Sequence, residues 1–236
     1  MTGWHEGPLV GFDLETTSAN PEAARIVTAA VPWRGTPEDG DAAWLMNPGI
    51  EIPAEAVKIH GITTERAQTE GAEPALAIRE ICTRLEIGIS RGWPLVIFNA
   101  PYDTTVLDRE CRRYGLPPFG DLLSGVSCVI DPFVLDKSAD PYRRGKRTLT
   151  AACGHYGVTL DGAHEAGADA IAAMRVAWKI ARAYPDIATT PLGDLHELQV
   201  KAKAEQAASF QDYLRKQGND EVVDGSWPFR AYEGTA

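Results

Sequence analysis

The sequence predicts an α/β domain: a mixed five-stranded sheet flanked by helices, followed by a helical C-terminal extension. Three observations lead there. Short apolar runs of strand length alternate with longer segments whose apolar residues recur at helical spacing. Three strand-like runs come first in succession, and strand–helix alternation follows, the order of an antiparallel meander joined to parallel β-α units. The composition is globular, with 44% hydrophobic and 24% charged residues over 236 positions.

In chain order, strands are predicted at Leu9 to Leu14, Arg25 to Pro32, Ala43 to Met46, Leu95 to Phe98 and Val126 to Ile130. Helices fit Pro53 to Ile59, Pro74 to Glu86, Thr104 to Tyr114, Thr148 to Tyr156 and Asp169 to Tyr184. The last of these carries Ile171, Met174, Trp178 and Ala181 on one apolar face. Pro185 to Pro191 reads as a linker, and Leu192 to Lys216 as a helix with Leu195, Leu198, Ala202, Phe210 and Leu214. The expected organisation is a domain over residues 7–184, then a linker and helical extension over 185–236. The aromatic tail Asp224-Gly225-Ser226-Trp227-Pro228-Phe229 docks either on its own domain or on a partner.

Acidic residues stand where this fold would gather them. Asp13 and Glu15 sit two apart at the end of the first strand, so their side chains share a face. Two carboxylates without compensation there would repel and protonate, and a divalent cation resolves the conflict. By themselves they fit a strand end with two solvated acids better than a metal site. Asp103 follows the fourth strand and the break Asn99-Ala100-Pro101, in the first turn of a helix, where an acid also suits the helix dipole. His164 and Asp169 are five apart, roughly 140° around a continuous helix. They meet only if His164 precedes the helix and folds back over Asp169, an approach that Gly167 would ease. Otherwise His164 is a surface histidine near a helix start.

Taken together, these segments resemble the three exonuclease motifs of the DnaQ-like, or DEDDh, family of 3′→5′ exonucleases. That family includes proofreading epsilon subunits of bacterial replicative polymerases and trimming nucleases such as RNase T. Val57-Lys58-Ile59-His60-Gly61-Ile62-Thr63 is similar to the segment between its first two motifs. Val129-Ile130-Asp131-Pro132, Arg147-Thr148-Leu149-Thr150 and Tyr156-Gly157-Val158 resemble the strand and helix before its third. Two positions depart from the usual pattern: Ser18 where Gly often follows Thr16-Thr17, and Tyr102 where Phe often precedes the second-motif acid. Neither removes a ligand.

The resemblance implies an RNase H-like fold and two Mg²⁺ or Mn²⁺ ions held by Asp13, Glu15, Asp103 and Asp169, with His164 as general base. It places Leu14, Thr16, Thr17, His60, Phe98, Asn99 and Tyr102 as substrate-binding candidates, against ordinary core and turn roles. The implied activity releases nucleoside 5′-monophosphates from nucleic-acid 3′ ends, DNA ahead of RNA. The alternatives are RNA trimming and a non-catalytic nucleic-acid-binding module. An endonuclease of the broader RNase H-like group is a further rival, one that usually lacks the His-x4-Asp closure. A polymerase or a second protomer is a candidate partner.

Bulk properties bound the rest. A net charge of −10 argues against coating nucleic acid through general electrostatics, though not against acting at a strand end. Arg143, Arg144, Lys146 and Arg147 form a basic run that either guides the phosphate backbone or forms a solvated loop. No apolar run approaches the roughly 18 residues of a membrane span. The start of the chain lacks the pattern of a signal peptide. The four cysteines form no C-x-x-C pair and read as buried reduced thiols, so a cytoplasmic protein without membrane contact is expected.

Overall fold

The first apolar run folds as two strands, β1 (Leu9–Gly11) and β2 (Asp13–Thr16), in a computed structural model that describes residues 3–234. The second run also divides, into β3 (Ile26–Ala30) and β4 (Trp33–Arg34), before β5 (Ala43–Leu45). Helices α1 (Ala54–His60), α2 (Thr64–Glu70) and α3 (Pro74–Ser90) lead to β6 (Leu95–Val96). Helices α4 (Pro101–Arg113) and α5 (Phe119–Leu123) precede β7 (Val129–Ile130). Then come α6 (Pro132–Ala139), α7 (Leu149–Tyr156), α8 (Ala166–Ala183), α9 (Pro185–Thr189) and α10 (Leu192–Lys216).

Among the described residues, seven short strands therefore replace the five predicted. They form one ladder in the order β4-β1-β6-β7 and another in the order β2-β3-β5. The antiparallel meander and the parallel β1-β6-β7 pairing are both present. Pro32 explains one division, because it has no N–H to give a ladder and sits between β3 and β4. Phe12 marks the other. Its N–H reaches the Val96 carbonyl at 3.1 Å, its ring is fully buried, and the residues on either side of it pair with different strands. Beyond Val96 the chain leaves the sheet, so β2 has no strand on that side. The site forms in that gap.

Helix α8 lies across the sheet on small residues: Ala170, Ala173, Ala177 and Ala181 are buried along it. Its Met174 presses so closely on β1 that a Cβ at Gly11 would lie 2.6 Å from the Met174 sulfur, which explains the glycine in that strand. Trp178 belongs less to the apolar face than its spacing predicts. It is 38% exposed and meets the His5 ring edge to face. The predicted linker starts as α9, with Pro185 at the first helical position, where its missing N–H costs nothing.

The C-terminal extension packs back on the same molecule. Helix α10 covers the open edge of β7: His196 Nδ1 accepts the Val129 N–H at 3.2 Å, and Gln199 accepts from Asp131 N–H at 2.7 Å and donates to the Val129 carbonyl at 2.8 Å. Side chains thus occupy groups that would otherwise recruit another strand. Trp227 is buried in the main core.

Half of the basic run is structural. The buried Asp136 carboxylate accepts from Arg143 at 2.6 Å, Arg147 at 2.7 Å and the Tyr156 hydroxyl at 2.8 Å. Burial alone would raise its pKa, but these partners hold it below the usual carboxylate range. Arg144 and Lys146 remain exposed. Asp136→Ala strands two mostly buried guanidinium groups and is expected to cost about 3 kcal/mol or more. A fall in the urea midpoint checks this, and an unchanged midpoint refutes it.

Candidate active site

The expected metal ligands come from three elements: Glu15 and Asp169 group with His164, while Asp13 and Asp103 are linked to them through the crowding of their charges. Asp13 and Glu15 project from one face of β2, opposite Ala30 and Thr28 of β3. Asp103 is buried in the first turn of α4, and its Oδ1 accepts the Leu14 N–H at 3.1 Å. That bond occupies the β2 edge group left without a strand, and it ties the second acidic segment to the first. Asp169 stands in the first turn of α8. His164 lies before that helix with φ of 70°, and its N–H donates to Asp169 Oδ2 at 3.2 Å. This is the folded-back arrangement the five-residue spacing requires. Gly167 is not what permits it, since a Cβ there would meet nothing within 4 Å.

Electrostatics show the crowding. Burial, and then the neighbouring Asp103, Asp169 and Glu15 carboxylates, push Asp13 well above the usual carboxylate range. Glu15 is pushed up to about 7 by burial and by Asp169. Burial also raises Asp103 and Asp169, against opposing hydrogen bonds from the Leu14 and His164 N–H groups respectively. Four acids that resist ionisation together form a poor apo state and a good cation site.

The residues fit a divalent ion. Glu15, His164 and Asp169 each offer a ligand atom within 4.8 Å of the others, and Asp169 Oδ1 is buried without a hydrogen-bond partner. The oxygen-rich donor set matches hard cations such as Mg²⁺ and Mn²⁺.

The remaining candidates divide. His60 lies in the C-terminal turn of α1, with Nδ1 accepting the Ile62 N–H at 3.1 Å, while its buried Nε2 has no partner. Burial lowers its pKa, and it lines a groove of about 490 Å³ with His164, Thr28, Leu45 and Arg66. Thr16 and Tyr102 share a hydroxyl–hydroxyl hydrogen bond, and Tyr102 also donates to the Ser18 carbonyl, closing the loop after β2. Burial pushes the Tyr102 hydroxyl up to about 12. The Leu14 side chain faces the core, and the Thr17 hydroxyl accepts from Arg25 N–H at 3.0 Å, so neither side chain is free at the site. Phe98 meets Phe133 edge to face, and Asn99 turns the chain with φ of 61°.

Sequence reasoning missed Asp131 as a support. Its fully buried carboxylate accepts N–H groups from Asn99 at 2.8 Å, Ala100 at 3.0 Å and Phe133 at 3.0 Å, and Trp227 Nε1–H at 3.2 Å. An acid before proline at a strand end was a capping signal for α6. Nothing local showed that the same carboxylate also holds the turn before Asp103.

Comparison with known proteins follows the same lines. An uncharacterised exonuclease of Escherichia phage 186 is 29% identical over 172 residues, covering 70% of this chain and 84% of its own. Exonuclease I of E. coli in complex with a dT13 oligonucleotide superposes with a TM-score of 0.64 at 18% identity, covering 77% of this chain and 42% of that one. A zinc-bound form of its single-stranded DNA complex gives 0.65 at 18% identity, over 76% and 41%. This chain therefore matches less than half the length of exonuclease I, and the likeness establishes an RNase H-like fold. The exonuclease family model named for RNase T matches residues 10–177, and the chain belongs to that family of DnaQ-like exonucleases.

Proposed function

We propose that this protein removes nucleotides from the 3′ end of nucleic acid, hydrolysing the terminal phosphodiester and releasing nucleoside 5′-monophosphates. The observation that carries the reading is the grouping of Glu15 and Asp169 with His164 beside the mutually crowded Asp13 and Asp103, the latter tied to β2 by the Leu14–Asp103 hydrogen bond. DNA is the better-supported substrate, because the exonuclease I structures are described with DNA oligonucleotides. RNA trimming uses the same chemistry and is separated by assay.

In this reading the four carboxylates hold two Mg²⁺ or Mn²⁺ ions. Such ions, when bound, lower the pKa of a water and stabilise the departing 3′ oxygen. The chain's own groups do the rest. His164 accepts the proton of the attacking water, a task suited to an imidazole near neutral pH. Asp169 holds the His164 backbone so that the ring stays over the acids. Tyr102, Thr16 and His60 border the terminal nucleotide, and Phe98 and Asn99 support the turn beside it. Four free thiols, three of them buried, support a reducing cytoplasmic setting. Among the described residues no helix is long and apolar enough to cross a membrane.

A second reading rests on the 4.8 Å grouping of Glu15, His164 and Asp169. There the imidazole joins the ligand set, and a mixed nitrogen–oxygen site favours zinc over magnesium.

A DNA strand labelled at its 5′ end tests the main reading. With Mg²⁺ or Mn²⁺ it is expected to give a ladder shortening from the 3′ end, and EDTA stops it. A circular single strand stays intact. Cleavage of the circle, or shortening from the 5′ end, would refute the proposal.

A further inference from the structure

The tail after α10 runs across the back of α4, beyond the region matched by the family model. It brackets Asp103 in the sequence. On one side, Trp227 Nε1 donates to Asp131 Oδ2 at 3.2 Å, and the Asp131 carboxylate accepts the Asn99 and Ala100 N–H groups that open α4. On the other, the next two residues after Asp103 both bond the tail. The Thr104 hydroxyl lies 2.6 Å from the Pro228 carbonyl and 2.8 Å from the Ala100 carbonyl, either of which can take its one proton, and the Thr105 hydroxyl accepts the Arg230 N–H at 2.9 Å. Thr104 and Thr105 are fully buried. About one turn further along α4, Arg109 Nη2 donates to the Arg230 and Ala231 carbonyls at 3.0 and 3.1 Å.

A helix start held this way has little freedom to slide. Asp103 has only its Leu14 hydrogen bond on the site side, whereas the restraints on its backbone neighbours come from behind. Displacing a ligand by a fraction of an ångström is enough to weaken a metal site, which is why groups supporting the ligands matter nearly as much as the ligands. We propose that the C-terminal strap, residues 224–232, sets the position of Asp103, with Trp227 and Asp131 as positioning residues acting through Asn99 and Ala100, and Thr104 as a second anchor. This rests on Asp103 being a metal ligand. It assigns an active-site role to a segment outside the matched exonuclease region.

Two near-isosteric changes test it on the full chain. Trp227→Phe keeps most of the buried ring and removes the donor to Asp131, while Thr104→Val removes the hydroxyl and keeps the volume. Mn²⁺ binding by calorimetry is expected to weaken about tenfold in each, the scale of losing a group that orients a ligand. The turnover number should fall in parallel, the KM for the strand should stay the same, and the melting temperature in EDTA should stay close to wild type. Asp103→Asn is the control. If it weakens Mn²⁺ binding while Trp227→Phe and Thr104→Val titrate like wild type, the strap has no such role. If Asp103→Asn itself binds Mn²⁺ like wild type, the ligand assignment fails and the strap proposal fails with it.

Discussion

Asp13→Asn is expected to give a protein that is more stable than wild type without metal and that hardly cleaves at all. Asp13 is the acid most crowded by others, with Asp103, Asp169 and Glu15 all raising it after burial. In EDTA each of these acids ionises only at a cost in repulsion and desolvation that the unfolded chain does not bear. The neutral amide keeps the shape and removes one charge. Each kcal/mol recovered raises the melting temperature by roughly 2–4 °C in a domain of this size. Activity moves the other way by about a thousandfold or more, because a ligand's share of charge stabilisation is worth several kcal/mol and each 1.36 is tenfold.

Linkage gives the same argument a pH signature. Glu15 is raised from an ordinary 4.5 to about 7 in the folded state. Between those values the folded protein keeps a proton that the unfolded chain has released. Its contribution is therefore complete below about 4.5 and is lost as pH rises through about 7. Glu15 is partly open to solvent, so about 2 kcal/mol is a discounted figure for this group. Thermal melts in EDTA from pH 5 to 8 should slope downward for wild type and less so for Asp13→Asn, with Mg²⁺ restoring the loss at high pH. A variant that melts lower than wild type in EDTA, or that digests DNA at wild-type rate, overturns this account.

His164→Ala is the second large effect. Loss of a positioned general base lowers the turnover number by about 10²–10⁴-fold. His164 is exposed, and the bond it makes to Asp169 comes from its backbone N–H, which alanine retains. Mn²⁺ affinity should therefore stay within a few-fold of wild type while catalysis collapses. The two measurements separate the readings of this residue. A fall in metal affinity as large as the fall in rate would make the imidazole a ligand, and activity close to wild type would remove it from catalysis.

The legible and illegible parts of the fold differ by the range of their causes. Helices α1, α3, α4, α7, α8 and α10 lay where local periodicity and capping placed them, because those signals span a few residues. The divisions at Phe12 and Pro32 were harder to see. A proline in a strand is visible, but which neighbour each half pairs with depends on strands far along the chain. At the site, the shared face of the i and i+2 acids of β2 was readable from strand geometry, whereas helix geometry left His164 either folded back over Asp169 or on the surface. The placing of Asp103 against the Leu14 N–H was not readable, since it exists only because β6 stops at Val96. The basic run misled for a related reason: Asp136, the group that holds Arg143 and Arg147, lies in a helix that the periodicity did not show.

The span of the closing contacts carries a consequence for how the protein is made. Leu14 and Asp103 are 89 residues apart, and Asp131 and Trp227 are 96 apart. A nascent chain still on the ribosome has the first acids long before it has Asp169, and it has Asp169 before the tail that bonds Asp131, Thr104 and Thr105. A chain cut before Trp227 therefore lacks the hydrogen bond to Asp131 and, with it, one restraint on the turn that opens α4.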